Sequence, residues 1–411
     1  MSDGPNWGIK NLEVMEMKQF RRLTALLLAL YLSAFLPACG EKPAENLPPV
    51  VQNPVIPPDP PAPQDPAESL LSQMSLRQKV GQLFIVRPEI LTTVSGRAEE
   101  FTEEMRTFLE EYPVGGIIQF GENIKTPEQI LAFNNALQAA SQIPLFLAVD
   151  EEGGPVARLA NNKNFDLPKY KNAASVGADG NSANALQMGQ TIGEYLKEYG
   201  FNLDFAPVAD VNTNPSNPVI GNRAFSSDPA VAAQMARAMA DGLNNHGIIG
   251  TFKHFPGHGD TGQDSHYGLA LSHKTLDELQ ACELIPFRMA GEKDMVMVGH
   301  ISLPEVTGSD IPATFSREII TGILKENLGF QGLIITDSLE MGAVTKGYSS
   351  GEATLLALKA GCHLILMPED FREAFDGVIS ALNDGTLTEE WLNETVLKVL
   401  NFKISNGVIK G

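Results

Sequence analysis

The chain has 411 residues, 43% of them apolar and 19% charged, with a formal net charge of -20. These proportions belong to a globular protein and exclude an intrinsically disordered one. The acidic excess argues against nucleic acid as a partner, because phosphate neutralisation takes clustered Lys and Arg. The length accommodates one large domain or two ordinary ones.

The N-terminus reads as an export signal. Residues 18–22, KQFRR, are basic, and residues 23–36 form an apolar run too short to span a bilayer comfortably. Next come Leu36, Pro37, Ala38, Cys39 and Gly40. Small residues ahead of a cysteine, directly after an apolar run, resemble a bacterial lipobox. The resemblance implies cleavage before Cys39 and acylation of its thiol. An ordinary signal peptide with an incidental cysteine is the alternative. Residues 41–66 are Pro-rich and polar, as a semi-rigid tether between lipid and fold should be. Residues 1–14 add nothing to a signal, so translation is expected to start at Met15 or Met17. The expected organisation is a signal peptide over 1–38, a lipidated Cys39 with a linker over 39–66, and one catalytic domain over 67–411. That places the protein outside the cytoplasm, anchored to a membrane at the periplasmic or cell surface. Gly40, rather than Asp, suits outer-membrane sorting in a host that has one. Only Cys282 and Cys362 remain, 80 positions apart, which is no disulfide scaffold; two free buried thiols are expected, with a single bridge as the alternative.

From there, helix and strand alternate. Residues 70–86 read as a helix running into a strand. Short apolar runs then recur between Gly, Pro and polar residues, at 81–86, 115–120, 144–150, 202–210, 248–255, 295–301, 332–337 and 363–368. Continuous apolar runs of this length are the mark of buried parallel strands. Helical patterns separate them, at 126–141, 182–200, 228–247, 275–292, 316–330 and 350–361. Thr275 and Glu278 stand in capping-box spacing. Eight such strands with crossover helices predict an α/β protein, a (β/α)8 TIM barrel in one domain. An open doubly wound sheet is the runner-up, but its Gly-rich turn after the first strand is missing.

In a barrel, catalytic groups stand at the C-terminal ends of strands. Those ends carry Asp150 and Glu151, Asp210, Lys253 and His254, His300, and Asp337. A single such group could be a cap or an ion pair. Five strands in a row ending this way point to a site. The loop after the fifth strand, KHFPGHGDTGQDSH over 253–266, holds three of the seven histidines. Pro256 and three glycines exclude a regular helix there and suit a loop over a pocket. Asp264 and His266 flank one residue, so in an extended chain they point the same way. A carboxylate beside an imidazole orients the ring and favours its protonated form, which makes a general acid for near-neutral pH. His254 and His258 are spaced as zinc ligands on a helix would be, but Pro256 and Gly257 break that helix. No catalytic metal and no cofactor are implied.

Six segments, VGGIIQFGENI, AVDEEGGPVARL, NLDFAPVADV, NPVIGNRAFSSDP, FKHFPGHGDTGQDSH and GLIITDSLEMGAV, together resemble glycoside hydrolase family 3, from about Glu68 to the C-terminus. Within it they resemble the single-domain β-N-acetylglucosaminidases. The resemblance implies that Asp337 is the nucleophile and His266 the acid/base, with Asp264 as its partner. It implies that Asp150, Arg158, Arg223, Lys253 and His254 grip the sugar. His258 and Asp260 would shape the loop, and Asp210 and His300 would support the pocket. Strand ends alone do not choose Asp337 over Asp150 or Asp210; that choice rests on the family. Pro155 stands where many relatives carry a polar or basic residue, and Cys362-His363 replaces a common Ala-Asp.

The implied activity is retaining, exo-acting hydrolysis of terminal β-linked GlcNAc from peptidoglycan fragments or chito-oligosaccharides. A family 3 β-glucosidase or β-xylosidase and an N-acetylglucosaminide phosphorylase are the enzymatic alternatives. A sugar-binding lipoprotein without catalysis is the alternative of another class.

Overall fold

The computed structural model describes residues 65–93, 98–263 and 268–410. The expected lipidation site Cys39, the signal peptide and nearly all of the linker lie outside these residues, as do Asp264 and His266.

Eight parallel strands form one sheet: β1 Phe84–Val86, β2 Gly116–Gln119, β3 Phe146–Val149, β4 Leu203–Asp204, β5 Ile249–Phe255, β6 Met295–Val298, β7 Leu333–Thr336 and β8 Ile365–Leu366. Their spatial order is their chain order, and β8 pairs with β1 through Phe84 opposite Ile365. A bridge between Ile335 and Leu364 joins β7 to β8 and closes the ring. The expected (β/α)8 barrel is the observed fold, and each of the eight apolar runs contains one strand.

The pleat divides the core in two. Inside the ring, Ile85, Ile118, Phe146, Ala148, Leu203, Phe205, Ile249, Met297 and Ile335 pack on one another. Their chain neighbours, such as Phe84, Ile117, Leu147 and Ile334, face the surrounding helices. Alternate residues face opposite sides of a strand, so one apolar run fills both layers.

The helices depart from expectation in detail. The segment at 70–86 is two helices, Pro66–Gln73 and Leu76–Gly81, because Ser75 caps the second in a capping box with Gln78. Thr275 and Glu278 form the expected capping box, but that helix ends at Ala281 and a 3-10 turn follows from Pro286. Proline brings no N–H and disfavours helix in the residue before it. Residues Glu318–Asn327 wind as a π-helix. A helix at Glu103–Glu111, in a charged stretch with few apolar positions, was not legible in the sequence pattern.

The last helix, Glu389–Ser405, plugs the bottom of the barrel. Its fully buried Lys403 donates to Gln82 Oε1 (2.8 Å), the Gly115 carbonyl (2.9 Å) and the Pro144 carbonyl (2.7 Å). Burial pushes its amine down to about 7. Close by in the fold, His363 accepts the Ile334 N–H through Nδ1 (2.9 Å), so the Cys362-His363 pair serves strand packing. Cys282 and Cys362 are free thiols; Cys362 is buried, whereas Cys282 is only partly so.

Candidate active site

The inward parity of the strands builds the site. On β3, Phe146 and Ala148 face inward, and Asp150 is next in that series. On β5 the series is Ile249, Thr251, Lys253, and on β7 it is Leu333, Ile335, Asp337. Arg87 follows Ile85 and Phe120 follows Ile118 in the same way. These five side chains line a cavity of about 410 Å³ at the C-terminal mouth of the barrel, floored by Phe205, Met297 and Leu366.

The same parity corrects one expectation. Glu151, grouped with Asp150 at the rim, faces away. It is fully buried and accepts the Leu159 N–H, the Ala160 N–H and the Tyr195 hydroxyl, each at 2.9 Å. It therefore holds the 151–160 hairpin in place. Glu152, one residue on, is back in the inward series, and sequence reasoning overlooked it. Its carboxylate takes Arg223 in two bonds of 2.7 and 2.8 Å and Lys253 Nζ at 2.7 Å. The two-residue spacing from Asp150 was the available signal.

Charge is paired around the wall of this cavity. Lys253 Nζ also reaches Asp150 Oδ1 at 2.8 Å, and Arg158 Nη2 reaches Asp150 Oδ2 at 3.3 Å. Burial works against ionisation of Glu152, but Lys253 and Arg223 outweigh it and hold the carboxyl far below the usual range. Burial likewise opposes the charge on Lys253, and Asp150 and Glu152 reverse the balance and raise its pKa. Arg158 Nε is buried without an acceptor among the described residues. Unpaired buried donors are rare, and at a cavity wall such a donor suits a ligand oxygen.

Asp210 organises the next strand end. It accepts the ring Nδ1 of His254 (2.7 Å) and the backbone N–H groups of His254 and His258. That leaves Nε2 of His254 for the cavity. Neither histidine of the 254/258 pair has a free Nδ1, since His258 Nδ1 lies 2.6 Å from the Thr261 hydroxyl. Asp260 accepts the Ser272 hydroxyl at 2.8 Å and so joins the two arms of the loop. His258 and Asp260 thus shape the loop, and Asp210 supports the pocket.

Asp337 lies at the cavity wall and accepts the Ser338 N–H at 2.8 Å. Burial raises its pKa, but His254, His300, the Ser338 N–H and Lys253 together outweigh burial and hold it below the usual carboxylate range. His300 Nε2 donates to the Ser338 carbonyl at 2.8 Å, which steadies the turn carrying Asp337. If Asp337 must be ionised for activity, the acid limb of kcat/KM lies below the ordinary carboxylate pKa. Replacing His300 with Ala removes one of the fields that depress it. The limb should then move to higher pH, so that kcat/KM falls most on the acid side of the profile. A pH profile with an unmoved acid limb would refute this role for His300.

The sequence falls within a described family. The one named Glycosyl hydrolase family 3 N terminal domain matches residues 75–402. The chain belongs to glycosyl hydrolase family 3. This family 3 barrel is 33% identical over 327 residues to β-hexosaminidase A of Pseudoalteromonas piscicida, covering 73% of this chain and 55% of the relative. It is 34% identical over 286 residues to the β-hexosaminidase of Stenotrophomonas maltophilia strain K279a, covering 68% and 84%. A solved family 3 β-N-acetylglucosaminidase from Paenibacillus sp. str. FPU-7 superposes with a TM-score of 0.76 at 36% identity, covering 82% of this chain and 64% of that one. The family 3 chain therefore spans about half the length of the first relative and under two thirds of the Paenibacillus protein.

The two sequence departures settle differently in this family 3 site. Pro155 is exposed at the hairpin tip, and its neighbours Val156 and Arg158 line the cavity instead. His363 lies at the far end of the barrel.

Proposed function

We propose that the protein is a retaining exo-β-N-acetylglucosaminidase that removes terminal β-linked GlcNAc from peptidoglycan fragments or chito-oligosaccharides. The observation carrying this reading is a half-buried Asp337, held ionised, at the wall of a small cavity ringed by Asp150, Arg158, Arg223, Lys253 and His254. A carboxylate with depressed pKa is a poor acid and a ready nucleophile. The names of the relatives, β-hexosaminidase and β-N-acetylglucosaminidase, support the substrate class.

In the first step Asp337 attacks the anomeric carbon while His266, oriented by Asp264, protonates the departing oxygen. The bond to the aglycone breaks and a glycosyl ester on Asp337 forms. In the second step water attacks the same carbon, His266 takes its proton, and Asp337 departs as carboxylate. Two displacements retain the anomeric configuration. Asp264 and His266 enter this scheme from the sequence motif. Arg158, with its free Nε, and the pinned Asp150 and Lys253 would hold sugar hydroxyls; Arg223 and His254 would hold hydroxyls or the acetamide. Lipid attached at Cys39 would keep the enzyme at a membrane outside the cytoplasm, near cell-wall fragments.

The test compares aryl β-N-acetylglucosaminide with aryl β-glucoside, in water and in phosphate. A site built for the acetamide should favour the first by at least about 100-fold in kcat/KM. Equal or faster turnover of the glucoside would overturn the substrate assignment. Release of a sugar 1-phosphate would make the protein a phosphorylase, and no turnover in either medium would favour a binding role. Mass spectrometry of the mature N-terminus decides the anchor: an unacylated Cys39 would refute it.

A further inference from the structure

A second cavity lies against the first. It measures about 420 Å³ and shares two residues with the active-site cavity, Phe120 and Arg158. Its remaining lining includes exposed Glu122 and Asn161 and half-buried Asn162. Two arginines pin the partition. The Arg158 guanidinium lies 5.5 Å from the Phe120 ring centroid and reaches Asp150, which Lys253 holds in turn. The Arg87 guanidinium lies 5.1 Å from the same centroid and is anchored on Glu89, Glu122 and Glu340. Paired arginines stacked on an aromatic ring make a stiff wall rather than a loose side chain at a rim.

The barrel orients a bound sugar relative to this wall. β3 and β7 are four places apart in an eight-stranded ring, so Asp150 and Asp337 stand on opposite sides of the mouth. On the reading above, Asp337 bonds the anomeric carbon. The other end of the ring, with its non-reducing hydroxyls, then faces Asp150, Arg158 and Phe120. A chain extended by one sugar beyond that end would run into the partition.

We propose that Phe120, with the Arg158 and Arg87 guanidiniums over its ring, is the stop that confines cleavage to the terminal sugar, and that the cavity behind it is a latent subsite for a second, uncharged N-acetylhexosamine. Its aromatic, amide and single carboxylate lining matches hydroxyl and acetamide groups. Its one guanidinium, Arg158, already has Asp150 as counter-ion, so among the described residues the lining offers no unpaired cation for an anionic sugar. This inference rests on the orientation given by Asp337 as nucleophile.

The aryl β-glycoside of the GlcNAc disaccharide tests it. The wild-type protein should remove the terminal sugar first, so aryl alcohol appears after a lag and only monosaccharide accumulates. Phe120→Ala joins the two cavities; aryl alcohol should then appear without lag, with intact disaccharide rising roughly tenfold or more. Phe120→Leu, which keeps most of the apolar volume, should give an intermediate amount. A Phe120→Ala protein that still hydrolyses aryl β-N-acetylglucosaminide but keeps the lag and releases only monosaccharide overturns the proposal. So does disaccharide release by the wild type, or loss of activity on both substrates in both variants. Failure of the wild type on aryl β-N-acetylglucosaminide would instead sink the reading of the function itself.

Discussion

Asp337→Ala should lower kcat on aryl β-N-acetylglucosaminide about 10⁴-fold, the scale expected when a member of a catalytic unit is deleted. The fold should survive. The residue's backbone N–H bonds the Val298 carbonyl whatever its side chain, and among the described residues the one side-chain bond lost is to the Ser338 N–H. The space vacated by the carboxylate should admit a small anion among the same cations that depress the Asp337 pKa. Added azide should therefore restore part of the rate. It would attack the anomeric carbon from the vacated side and leave as the glycosyl azide of inverted, α configuration, with the aryl alcohol as the other product. Product analysis by NMR decides the role. Near-wild-type turnover of the variant, or a β-azide, would remove Asp337 from the nucleophile's place and return the choice to Asp150 or Asp210.

Glu152→Ala should be the most damaging change to stability, at about 3–5 kcal/mol in urea unfolding, because a buried ion network loses its shared partner. Glu152 and Lys253 are 4% and 3% exposed, and Arg223 spends two bonds on this one carboxylate. Its removal takes away the direct ion-pair partner of Arg223, whose remaining carboxylates Asp210 and Asp150 act only at longer range, and leaves Lys253 with Asp150. The pH dependence has a definite sign. The folded-state pKa of Glu152 lies far below its ordinary value, so its contribution is complete above the ordinary carboxylate range. It fades as pH falls through that range toward the folded value. Wild-type stability should therefore drop more steeply than the variant's from about pH 5 downward. A Glu152→Ala protein as stable as wild type at pH 7 would show that the network is not structural. A wild type and variant with parallel acid slopes would show that the depressed pKa is not coupled to folding.

Much of this architecture is legible in local pattern. Apolar runs at 115–120, 144–150 and 332–337 announce buried parallel strands because each must supply two core layers, and the alternation with helical periods leaves few folds open. The strand-end polar groups Asp150, Lys253, His254 and Asp337 are visible because an apolar run that stops on a titratable residue is conspicuous. What local pattern handles poorly is phase. Glu151 and Glu152 are chemically alike and adjacent, yet one braces a hairpin outside the ring and the other holds Lys253 and Arg223 inside it. Only the pleat, counted from Phe146 and Ala148, separates them.

By itself the sequence determined the barrel, the eight strands in order, and the short list of acids and bases at their ends, since these follow from hydrophobic period and turn chemistry within a few residues. Tertiary structure alone decided which groups meet. Arg87 finds Glu340 across 253 positions, Arg223 finds Glu152 across 71, and Phe120 becomes a partition because Arg158 and Arg87 both lie over it. Such pairings depend on closing the ring. Closure brings β1 beside β8 and sets β3 opposite β7, and no stretch of sequence short enough to show a period contains that information.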